Sequence, residues 1–159
     1  MDMKYYKKEL LRRFNVELSP NERNALNNKW KLNLDKYSKC LKKLKNVLSK
    51  NNYLFFEKVS LHDSNVDLIK LTTDTVVIEL RNIDCDYKYT LKYSKIKSVK
   101  YDFPTEQPLF WKIGDGIGDW GYDEIELLDE DFLCHRILLQ SGAILEISFK
   151  LFGYKKTKI

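Results

Sequence analysis

Tyr87-Lys88-Tyr89-Thr90-Leu91-Lys92-Tyr93 decides the fold. Aromatic or aliphatic side chains alternate here with Lys and Thr at a period of two, which places Tyr87, Tyr89, Leu91 and Tyr93 on one side of an extended chain. Aromatic side chains suit a pleated, half-covered surface, so the stretch reads as a half-buried strand. Upstream, Asn65–Leu71 and Thr75–Leu80 are two short segments around Thr72-Thr73-Asp74, which reads as a hairpin turn. Downstream, Ile96–Tyr101 starts another strand-like segment. Pro104 and Pro108 bracket a break, Leu109–Ile113 is short and apolar, and Gly114, Gly116, Gly118 and Gly121 mark a loop. Gly121–Leu128, Phe132–Gln140 and Ala143–Phe152 complete the series, with a tight turn at Ser141-Gly142 between the last two. About seven strands with no helical pattern between them predict an antiparallel meander closing into a sandwich or open barrel.

The N-terminal part has a different period. Ser19-Pro20-Asn21-Glu22 is a capping box with Pro at the first helical position. Beyond it Trp30, Leu34, Tyr37, Leu41, Leu44 and Leu48 fall on one helical stripe, with Lys29, Lys31, Lys36, Lys39, Lys42, Lys43 and Lys45 mostly off it. The pattern predicts a helix from Pro20 to about Lys50, stopped by Asn51-Asn52, and a shorter helix around Lys4–Phe14. The expected architecture is α+β: N-terminal helices packed on an antiparallel β meander, in one domain over 1–159. Residues 1–52 are helical and basic, and 53–159 antiparallel β and acidic. The stripe also has the makings of a parallel coiled-coil dimer, but Trp and Tyr are awkward seam residues. Docking on the sheet of the same chain, and hence a monomer, is the favoured reading, with a dimer left open.

A chain of 159 residues suits one domain, and 43% hydrophobic with 13% aromatic residues is enough for a packed core rather than disorder. Cys40, Cys85 and Cys134 are odd in number and lack CxxC spacing, so no disulfide framework is expected. The opening MDMKYYKKELLRRF lacks the apolar run of a secretory signal, and no stretch approaches the length of a membrane span. These features predict a reduced, cytoplasmic protein with no membrane contact. The net charge of +5 is divided: residues 1–58 carry 15 Lys/Arg against 6 Asp/Glu, and 59–150 carry 10 against 17. Such a dipole is weak evidence for nucleic acid, because the aromatics lie on the helix face assigned to the core and not among the lysines.

No catalytic set emerges. Leu61-His62-Asp63-Ser64 holds the ingredients of a triad, but neighbours on an extended chain cannot easily converge in base–orienter–nucleophile order. His62, Asp63 and Ser64 read instead as a structural turn entering the next strand. Cys134-His135 lacks metal-ligand spacing, and no metal or cofactor is expected. The acidic run Asp115, Asp119, Asp123, Glu124, Glu126, Asp129, Glu130 and Asp131 fits neither a calcium loop nor a phosphate-binding glycine loop. It reads as a solvated face or as a partner-binding surface, in which Asp115, Asp119, Trp120, Tyr122 and Asp123 are the candidate contacts, with Trp120 and Tyr122 as aromatic anchors.

The stretch Val59-Ser60-Leu61-His62-Asp63-Ser64-Asn65-Val66, followed by strand, turn and strand, resembles the His-Asp-Ser/Ala opening of the β domain in small bacterial families. These include domains of unknown function from Gram-positive bacteria and immunity proteins of polymorphic toxin systems. Tyr122-Asp123-Glu124, the hairpin from His135 to Gly142, and Glu146-Ile147-Ser148-Phe149-Lys150 add to that resemblance, which covers about the last two-thirds of the chain. It implies an antiparallel β fold and a cytosolic, non-enzymatic role and, for the immunity members, stoichiometric binding of a cognate toxin domain. No catalytic residue carries over. The expected function is a non-enzymatic protein-binding module, with a nucleic-acid-associated or regulatory role for the Lys-rich helix as the alternative.

Overall fold

A computed structural model describes residues 1–14, 16–102 and 118–159. Helices pack on a six-stranded antiparallel sheet that curls into a half-barrel. A 3-10 helix Lys8–Phe14 leads to α1 (Pro20–Lys43), a 3-10 turn (Leu44–Asn46) and α2 (Lys50–Lys58). The strands are β1 (Asn65–Leu71), β2 (Thr75–Arg81), β3 (Tyr87–Asp102), β4 (Trp120–Leu127), β5 (Leu133–Leu139) and β6 (Ile144–Lys158), in the order β1-β2-β3-β6-β5-β4.

The expected seven strands become six because the segments 87–93 and 96–101 are one strand. Lys95 takes a positive φ of 54°, and the register shifts between Ile96 and Ser98. The extra residue forms a bulge, which bends the ladder without ending it. The short apolar segment Leu109–Ile113 lies outside the described residues. β6 runs well past the expected Phe152, since Leu151–Lys158 pairs with Tyr87–Ser94. The basic tail is therefore part of the sheet.

The long helix also ends earlier than expected. Ser19 and Glu22 form the capping box, but α1 stops at Lys43. A second cap follows, in which Ser49 Oγ accepts the Asn52 N–H, so Asn51-Asn52 opens α2 instead of closing α1. The helical part thus extends to Lys58 rather than to 52. The shorter N-terminal helix is 3-10, over Lys8–Phe14.

α1 serves both faces of the sheet. Leu41 and Leu44 join the main core with Val76, Ile78, Leu80, Leu91, Tyr93, Ile125, Ile137, Ile147 and Phe149. Trp30, from the same stripe, joins Met3, Leu10, Leu11, Leu138 and Ile144 in a second cluster. Ile137 and Leu138 alternate across the pleat, so the two clusters occupy opposite faces. Leu34 lies between them and remains 36% exposed.

On the second face a charged row crosses four strands. Glu124 is the register partner of Arg136, Arg136 of Glu146 and Glu146 of Lys100. Arg136 Nε donates to Glu146 at 2.8 Å, and its Nη1 donates to Glu126 at 2.7 Å. For Glu126, burial pushes the carboxyl up, but hydrogen bonds from Lys4 and Arg136 outweigh it and the net shift is down. Glu146 follows the same pattern, with Arg136 and Lys100 as the donors.

Both carboxyls are lowered in the folded state, so their stabilisation is complete above the ordinary glutamate range and is lost as pH falls through the lowered values. Urea midpoints should therefore fall between pH 5 and pH 3. Removing the shared cation by Arg136→Ala should cost about 3 kcal/mol at pH 7, because Glu124 is left buried with backbone donors alone and Glu126 and Glu146 keep only Lys4 and Lys100. It should also flatten the acid limb. An acid limb unchanged in the variant would remove this row from the pH response.

Candidate functional site

A cleft of about 490 Å³ opens between the 3-10 helix, α1, the end of α2 and β4. Arg13, Trp30, Tyr37, His62, Tyr122 and Asp123 line it, and Tyr6 completes an aromatic wall. Tyr6 stacks on Tyr122 with centroids 5.1 Å apart, and Trp30 meets both rings edge-on at 5.4 and 5.2 Å. His62 abuts Tyr122 from the other side at 4.6 Å.

The wall depends on how β4 is held. Gly121 sits at a bulge, where an added Cβ would lie 2.7 Å from the Leu138 carbonyl oxygen, so only glycine lets the strands approach this closely. Tyr37 crosses the outer edge of β4, where its hydroxyl accepts the Ile125 N–H at 3.1 Å. Burial pushes the Tyr37 and Tyr6 hydroxyls well above the ordinary tyrosine range, with Asp123 adding to each. Both are therefore neutral donors at physiological pH.

Glu124 is 1% exposed and accepts the backbone N–H groups of Lys4, Tyr5 and Tyr6 at 2.6, 2.8 and 3.3 Å. Arg136 Nη1 approaches it at 3.5 Å. This carboxylate clamps the segment that carries Tyr6 against the sheet. Asn33 assists by donating to the Tyr5 carbonyl at 3.0 Å.

Behind the cleft lies a buried polar chain. His135 has no exposed surface; its Nε2 lies 2.9 Å from Asp123 Oδ2 and its Nδ1 lies 2.8 Å from the Tyr93 hydroxyl. Trp120 Nε1 donates to the other Asp123 oxygen at 2.9 Å. With a neutral imidazole, Nε2–H donates to Asp123 and Nδ1 accepts from Tyr93, so each polar atom is satisfied. Both ring nitrogens are occupied and enclosed, which suits a structural role and leaves no atom for a substrate.

The sequence-predicted contacts separate. Asp115 lies outside the described residues. Trp120 is 1% exposed and belongs to the core, so it presents no surface to a partner. Tyr122 and Asp123 both reach the cleft. Asp119 sits beside Asp63; burial, and then the Asp63 charge, push its carboxyl up. Residues 61–64 form a turn docked on the start of β4: Ser64 N–H bonds to Leu61, Asp63 N–H to Trp120 and Trp120 N–H to Ser64. Asp63 adopts a positive φ of 61° and accepts from Gln140 Nε2. Its other oxygen lies 2.9 Å from His62 Nδ1. Ser64 Oγ is buried without a hydrogen-bond partner, so neither His62 nor Asp63 bonds to it.

Most of the acidic run is neutralised within the chain. Asp123, Glu124 and Glu126 are engaged as described, Asp129 pairs with Lys97 and caps a turn at Asp131 and Phe132, and Asp131 lies 3.7 Å from Lys150. Among the described residues, no group of three or more His, Cys, Asp or Glu is placed to hold a metal, and no helix is long and apolar enough to cross a membrane. Sequence reasoning did not single out Arg13, Tyr6 or Glu124 for the site. Trp30 and Tyr37 were assigned wholly to the core, although they also line the cleft.

No protein-family model matches the chain, and no curated protein matches it.

Asp123→Ala should lower stability by about 1–3 kcal/mol, because the buried His135 and Trp120 lose their acceptor. The near-ultraviolet signal of Trp120 should change with it. Urea unfolding indistinguishable from wild type would mean that the buried polar chain contributes nothing.

Proposed function

We propose that this chain is a non-enzymatic protein-binding module, and that it meets its partner through the aromatic cleft rather than through the acidic run. The supporting observation is the concentration of Tyr6, Trp30, Tyr37, Tyr122 and Arg13 in one open concave site. Tyr, Trp and Arg dominate the energetics of protein contacts, because each buries a large area with few rotamers to lose or offers several donors. The non-enzymatic half of the reading draws on the two histidines: His135 is sealed, and His62 turns its Nδ1 to Asp63 while Ser64 Oγ bonds to neither. The resemblance described above points to a cognate toxin domain as the partner class. Cys40, Cys85 and Cys134 are all unpaired, which suits a reducing cytoplasmic setting.

A second reading has its own observation. Lys29, Lys31, Lys36, Lys39, Lys42 and Lys43 of α1 are exposed, and none of them pairs with a carboxylate among the described residues. An unneutralised lysine face would attract nucleic acid through phosphate contacts, with affinity falling steeply as salt rises.

Capture from source lysate with wild type, Leu34→Glu and a triple reversal of Asp129, Glu130 and Asp131 to Lys separates these readings. Leu34 lines the cleft and is partly exposed, so its substitution blocks the site without opening the core. The proposal predicts one protein partner that survives moderate salt, is lost with Leu34→Glu and is kept by the triple reversal. Loss only with the triple reversal would return the site to the acidic run. Nucleic acid that salt removes would favour the lysine face.

A further inference from the structure

Among the described residues lining the cleft, Lys58 and His62 each have a carboxylate beside them and Arg13 has none. Its guanidinium lies 3.9 Å from the centroid of Trp30, stacked on the ring, and Nε is buried with no hydrogen-bond partner. The guanidinium also hydrogen-bonds to the Tyr122 hydroxyl, a neutral group that leaves its charge unmatched. The other charges lining the cleft already have partners: Glu57 pairs with Lys58 at 3.5 Å, and Asp123 is held by His135 and Trp120. A buried donor left empty on a cation costs more than the same donor left empty on a neutral group. Arg keeps its charge at every physiological pH, so the cost cannot be relieved by deprotonation.

We infer that Arg13 is the receptor for a carboxylate presented by an acidic peptide segment of the partner. This rests on the cleft being the binding site. A carboxylate matches the two terminal Nη groups of the guanidinium with two parallel hydrogen bonds, while the sealed Nε and the Trp30 face beneath the cation keep the group in place. Tyr122 and His62 then flank the bound group as further donors. The geometry favours a peptide over a single-stranded nucleic acid. Base recognition needs free aromatic faces, whereas Tyr6 and Tyr122 cover one another and Trp30 is covered by Arg13.

The test uses the full chain and two probe peptides, acetyl-Glu-Tyr-Glu-amide and its isostere acetyl-Gln-Tyr-Gln-amide. Binding is followed by nuclear magnetic resonance at the Arg13 Nε–H and the Trp30 indole N–H. The expected result is saturable shifts at both with the Glu peptide, and affinity about tenfold weaker with the Gln peptide, one charge-assisted contact being worth roughly that factor. Arg13→Gln should erase the difference between the two peptides, and Arg13→Lys, which keeps the charge but loses the fork, should retain part of it. Equal binding of both peptides at the cleft, or a difference that persists in Arg13→Gln, overturns the carboxylate assignment while leaving the cleft as a binding site. Shifts at these resonances with oligo-dT that displace the Glu peptide overturn the peptide as the ligand class. No shift with any probe overturns both the assignment and the site.

Discussion

β4 is the last strand of its sheet, so its outward backbone groups have no neighbouring strand to bond. An edge of this kind is a template for unwanted pairing unless something covers it. Three pieces of the chain do so. The 61–64 turn bonds to the Trp120 backbone, the Tyr37 hydroxyl takes the Ile125 N–H, and Glu124 gathers the N–H groups of Lys4, Tyr5 and Tyr6. The cleft is what remains between these covering pieces. Its aromatic lining is a consequence of edge protection, because the covering pieces bring Tyr6 and Tyr37 to Tyr122, which β4 itself carries.

That arrangement also explains why the acidic run is not an open negative field. A carboxylate buried among apolar groups is costly unless it is paired or hydrogen-bonded. Glu124 meets this requirement with three backbone donors and Arg136, and Asp123 with His135 and Trp120. The charges that sequence counting assigns to a surface therefore organise the interior. Positive charge is left unmatched at Arg13 in the cleft and at the lysines along α1.

The local signals in the sequence carried much of the architecture. The period-two run at 87–93, the Thr72–Asp74 turn, the Ser141-Gly142 turn and the Ser19 capping box all correspond to observed elements, because each is set by neighbours in sequence. What misled was also local. A bulge at Lys95 looks like a strand end, and Ser49 is a second cap hidden by the continuing leucine stripe. The site was legible only in Tyr122 and Asp123. Arg13, Tyr6 and Trp30 are far from Tyr122 in sequence and meet it through the N-terminal segment folding onto β4, a long-range event that no periodicity reports. Trp120 shows the converse: its acidic, glycine-rich neighbourhood suggests exposure, yet its ring is buried and its indole N–H has an acceptor three residues on.

The central claim is that Glu124 holds the N-terminal segment in place and so builds the aromatic wall. Hydrogen exchange on Glu124→Gln tests this directly. The account predicts that the amides of Lys4, Tyr5 and Tyr6, followed by those of the 3-10 helix, lose protection, while β2 and β3 exchange as in wild type. Unchanged protection at Lys4–Tyr6, or a loss spread evenly over the whole sheet, would contradict it.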